Sequence, residues 1–76
     1  MRAKQPYRVL SFATTQQALA WEKQCAAQGV PGRLIPLPRE ISAGCGLAWR
    51  MRPEDWIAWQ SRLTDIPYEQ AVEIAL

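Results

Sequence analysis

The chain has 76 residues, of which 49% are hydrophobic, and a formal charge of +2. That is the size of a single domain spanning residues 1–76, with a thin core but too much apolar content for disorder. It leaves no stretch near the roughly 20 apolar residues of a membrane span and no basic excess of the kind nucleic acid demands.

The run "YRVLSFAT" (Tyr7–Thr14) is rich in β-formers and reads as a strand. Leu10 and Phe12 share one face, and Tyr7 and Val9 the other. Apolar residues on both faces predict a central strand. A helix follows in "TTQQALAWEKQCAAQG". Thr14 with Gln17 forms a capping-box pattern, and Gly29 supplies a stop. Ala18, Trp21 and Cys25 lie on one stripe of it. Glu22 is expected to face solvent, with an arginine of the third strand as the alternative partner.

"VPGRLIPLP" (Val30–Pro38) alternates like a strand. Pro36 and Pro38 lack the N–H a central strand needs, so an edge position is expected. "LAWRMR" (Leu47–Arg52) alternates cleanly, with Leu47, Trp49 and Met51 opposite Ala48, Arg50 and Arg52. Pro53 suits the first position of a second helix, and Glu54 and Asp55 suit its positive end. Trp56, Ile57, Trp59, Gln60 and Leu63 continue that pattern, and Pro67 stops it. A last strand is read in "YEQAVEIAL", with Tyr68, Val72, Ile74 and Leu76 on one face.

The order βαββαβ predicts an α+β ferredoxin-like sandwich. Right-handed crossovers give a four-stranded antiparallel sheet of order 4-1-3-2, with two helices on one face. This order places the start of the first helix and the tip of the central hairpin on one rim. The rim therefore gathers Thr14, Thr15, Arg39 and the stretch "SAGCG" (Ser42–Gly46).

Cys45 stands between Gly44 and Gly46, and two readings compete for it. In one, the turn displays a thiol. Unpaired N–H groups of the helix and the charge of Arg39 would favour a thiolate there. In the other, Gly44 and Gly46 simply make a hairpin turn that tolerates a small residue. Cys25, on the inner stripe of the first helix, reads as a small core hydrophobe.

The chain has no histidine, and its two cysteines do not make a zinc site. No metal site and no cofactor are expected. The start "MRAKQPYRVLSF" shows no signal-peptide cleavage pattern, which predicts a cytoplasmic protein with reduced thiols. Charge is uneven. Residues 33–52 carry Arg33, Arg39, Arg50 and Arg52 against Glu40 alone, and residues 53–76 carry an acidic excess.

From Tyr7 to Leu76 the chain resembles the DUF3343 family of selenium/sulfur carrier-like proteins. The resemblance is most specific in Ile35-Pro36-Leu37-Pro38-Arg39-Glu40-Ile41-Ser42 with Gly44-Cys45-Gly46, and weaker at Thr14, Thr15, Ala18 and Glu22. It implies a carrier that holds a persulfide or selenosulfide on Cys45 and passes it to a partner enzyme. Arg39 and the helix start would favour the anion, and Gly44 and Gly46 would allow close approach. Ser42, Thr14 and Thr15 would donate hydrogen bonds. Such a protein is a transfer partner more than a stand-alone enzyme, and it needs donor and acceptor proteins. The alternative is a non-catalytic interaction or regulatory module, in which the face bearing Arg50 and Arg52 meets an acidic partner. Ferredoxin-like domains also pair through a sheet face or edge, so a homodimer is compatible with either. Neither nucleic acid nor a membrane is an expected partner.

Overall fold

The computed structural model describes residues 3–42, 44–63 and 66–76. Ala43 of the Ser-Ala-Gly-Cys-Gly stretch, and Arg2 and Asp65 of the charged residues, lie outside them.

The elements are β1 (Pro6–Ser11), α1 (Thr15–Gln28), β2 (Arg33–Pro36), β3 (Leu47–Met51), α2 (Pro53–Trp59), a 3-10 turn (Gln60–Arg62) and β4 (Gln70–Ala75). The sheet order is β2-β3-β1-β4, which is the expected 4-1-3-2 read from the opposite edge. All three pairings are antiparallel. The fold is the α+β ferredoxin-like arrangement. No helix among the described residues is long and apolar enough to cross a membrane.

β1 is central because both of its faces are covered. Leu10 and Phe12 point to the helices and join Trp21, Cys25, Trp49, Met51 and Leu63 in the larger core. Val9 points the other way and packs with Ile41, Ala48 and Ile74. Ile41 belongs to the β2–β3 connection, so that connection folds across the sheet face the helices leave bare. Each large side chain buried in this way stabilises by about 1.5–3 kcal/mol relative to exposure.

Trp21 anchors the helix layer. Its ring lies 5.6 Å from Phe12 and 5.9 Å from Tyr68, and Tyr68 in turn meets Trp56 edge-on at 5.7 Å. Tyr68 is therefore not on the β4 face with Val72 and Ile74. The strand begins only at Gln70, and the tyrosine ring turns to the tryptophans instead.

The other boundaries also shorten for local reasons. β1 stops at Ser11 because Thr14 caps α1. β2 starts late because the Val30 N–H closes α1 on the Cys25 carbonyl at 2.8 Å, beside Gly29 in the left-handed conformation. It ends early because a turn from Pro38 O to Ile41 N takes over. α2 gives way to a 3-10 turn after Trp59, and Ile57, read as part of the helix pattern, is 72% exposed.

Candidate functional site

Phe12, just past the end of β1, holds the turn that carries Cys45. The Cys45 N–H donates to the Phe12 carbonyl at 3.0 Å. Two residues after Phe12, Thr14 caps α1, accepting at Oγ1 from the Gln17 N–H at 3.1 Å. Gln17 Oε1 reaches back to accept from Ala13 N–H at 3.2 Å, one residue ahead of the cap. The amides of Thr15 and Gln16, in the first turn of α1, have no partner among the described residues. The turn that carries Cys45 is thus tied two residues ahead of the α1 cap.

Backbone conformation explains the two glycines. Gly44 has φ 145° and Gly46 φ 96°. A Cβ at Gly46 would meet nothing within 4 Å, so conformation alone selects glycine there. Gly46 also accepts from the Leu37 N–H at 2.9 Å, which extends the hairpin beyond β2.

Cys45 is half-buried, packed against the helix-side core next to Leu47. Its Sγ lies 3.8 Å from the Leu47 carbonyl oxygen, a weak S–H contact. Its own N–H is already engaged by Phe12, so that amide does not face the sulfur. Cys25 is fully buried, and burial pushes its thiol from 9.0 up to about 11. Neither cysteine is in a disulfide.

Arg39 and Ser42 lie on exposed parts of the β2–β3 connection. Buried Ile41 pins this segment to the face of the sheet opposite Cys45. No hydrogen bond or ion pair joins Arg39 or Ser42 to Cys45 among the described residues. Glu22 is exposed and likewise makes no such bond to an arginine of β3. The groups that touch Cys45 most directly are the backbone carbonyls of Phe12 and Leu47. Sequence carries no signal for either, since any residue type supplies a carbonyl.

Among the described residues no three potential metal ligands come together. The arrangement offers instead one partly accessible thiol on a glycine turn and a second thiol sealed in the core. No curated protein and no solved structure matches the chain. The family model described as "Putative Se/S carrier protein-like" matches residues 7–73, a span that holds the capped helix, the edge strand and the cysteine turn together, and the chain belongs to that family.

Proposed function

We propose that Cys45 carries sulfane sulfur or selenium between partner proteins. The Cys45 thiolate attacks the terminal chalcogen of a donor persulfide or selenosulfide. The bond between donor sulfur and chalcogen breaks, a new bond forms on Cys45 Sγ, and the donor leaves as its thiolate. An acceptor thiolate repeats the step and releases Cys45. The exchange is balanced without external oxidant or reductant, and it needs no histidine base.

One observation carries this reading: of the two thiols, only Cys45 is partly exposed, on a turn tied by its N–H to the Phe12 carbonyl, two residues ahead of the α1 cap. The unpaired amides of Thr15 and Gln16, with the hydroxyls of Thr14 and Thr15, would serve as donors to a terminal anion. Gly44 and Gly46 keep side chains away from the approach. Arg39 and Ser42, exposed on the β2–β3 connection, would offer positive charge and a donor to a docked partner rather than to the sulfur itself. The setting is a reducing cytoplasm, where both thiols stay free. Membership of a carrier family supplies the reason for donor and acceptor partners.

Competitive alkylation of the native protein tests the assignment. Iodoacetamide should label Cys45 and spare Cys25. Equal protection of both thiols would remove Cys45 as the carrier.

A further inference from the structure

A second candidate site lies on the other face of the sheet, toward the far end of β3 from Cys45. Arg33 of β2 and Arg50 of β3 are direct cross-strand partners. Like charges in that relation destabilise a sheet unless something offsets them. The Arg50 guanidinium lies over the Tyr7 ring at 4.7 Å, and that of Arg52 at 5.7 Å. Arg33, Arg50, Arg52, Tyr7 and Gly32 line one open cleft of about 410 Å³. A neighbouring cleft of about 460 Å³ shares Tyr7 and Arg50 and adds Lys4.

Little negative charge offsets this cluster. Among the described residues the ion pair is Arg52 Nε with Glu54 at 3.9 Å, on exposed side chains. Among the described residues no side-chain carboxylate comes within that reach of Arg33, Arg50 or Lys4. Gln5 accepts one bond from Arg52, a neutral partner. Stacking on Tyr7 fixes Arg50 before any ligand arrives, so less side-chain freedom is lost on binding.

We propose that the Arg33–Arg50–Arg52 cleft beside Tyr7 binds a doubly charged oxyanion of the phosphate class. Guanidinium forks match phosphate oxygens two at a time. Three of them lining one cleft suit a ligand with several acceptor oxygens and more than one charge, which a single carboxylate lacks. From Leu47 to Arg52 the strand advances roughly 15–20 Å. The site is thus separate from the thiol, and its failure would not touch the carrier reading.

The test is an amide-resolved NMR titration of the full chain at fixed ionic strength. The probes are inorganic phosphate, glycerol phosphate, chloride and an oligoglutamate peptide. Saturable shifts at Tyr7, Gly32, Arg33 and Arg50 with either phosphate probe support the site. A tighter response to glycerol phosphate assigns it to esters, and an equal one to the free anion. Arg50→Gln and, independently, Arg33→Gln should each weaken binding by roughly tenfold or more, the loss expected of a charge-assisted hydrogen bond. Arg62→Gln, on the 3-10 turn, should leave it unchanged. Phosphate shifts that fail to saturate, or that chloride reproduces, overturn the proposal. So does binding of oligoglutamate alone, which would mark the patch as a surface for an acidic protein segment.

Discussion

Cys45 donates its backbone N–H to the carbonyl of Phe12, and so the thiol turn is fastened to the end of β1 through main-chain atoms. The side chain takes no part in that bond. Cys45→Ser should therefore keep the turn and change unfolding free energy by about 1 kcal/mol, as expected of a near-isosteric change at a half-buried position. Denaturant unfolding checks this. A much larger loss would mean that the sulfur is needed for packing.

Cys25 should resist alkylation while the protein is folded and should make stability depend on pH at the alkaline end. Its folded thiol titrates at about 11, against 9.0 when exposed. Above pH 9 the unfolded chain loses a proton that the folded chain keeps. Stability from this group is thus fully present below about pH 9 and falls as pH rises toward about 11. The loss is up to roughly 3 kcal/mol, at about 1.4 kcal/mol for each unit between the two values. Cys25→Ala should flatten this part of the stability–pH curve. An unchanged slope would show that Cys25 is not the group responsible.

Gly32 and Gly46 should respond differently to alanine. A Cβ at Gly32 would fall 2.6 Å from Trp49 Cζ2 and 2.7 Å from the Arg50 carbonyl oxygen. Overpacking of that kind, added to a φ of 142°, should destabilise by about 2 kcal/mol or more. Gly46→Ala meets open space and should lose about 1–2 kcal/mol from backbone conformation alone. Thermal unfolding of the two variants ranks them, and the reverse order would contradict the packing described for Trp49.

Trp21→Ala should be the most damaging of these changes. It removes the ring that links Phe12 to Tyr68, and truncation of a buried tryptophan costs about 3–5 kcal/mol. A domain of this size has little more than that to lose. Loss of near-ultraviolet circular dichroism at room temperature is the expected result. A cooperative transition close to that of the parent would show that the core does not depend on this ring.

The strand order was legible because its causes are local. Two-faced apolarity marked β1 as central, and Pro36 marked β2 as an edge. The alternation of β3 set Trp49 and Met51 on the face opposite Ala48, and the structure turns that face to the helices. Ile41 was not legible, because a residue in an aperiodic connection shows no face in sequence, yet it closes the second core. Tyr68 was misplaced because strand periodicity was carried past the true start of β4, where aromatic packing decides the ring's direction. The pairing of Arg33 with Arg50 depends on β2–β3 register, which a pattern within either strand does not reveal. At the thiol turn, Gly44-Cys45-Gly46 was visible as a motif. The burial of Ile41 on the other sheet face, in the same connection as Arg39 and Ser42, was not, because that connection has no period to read.

Incubation of the protein with a small-molecule persulfide donor, followed by intact and peptide mass spectrometry, tests the carrier account most directly. The account predicts a gain of one sulfur atom on the peptide holding Cys45, retained in Cys25→Ser, absent in Cys45→Ser and removed by an acceptor thiol. No gain on Cys45, or a gain that moves to Cys25, would contradict it.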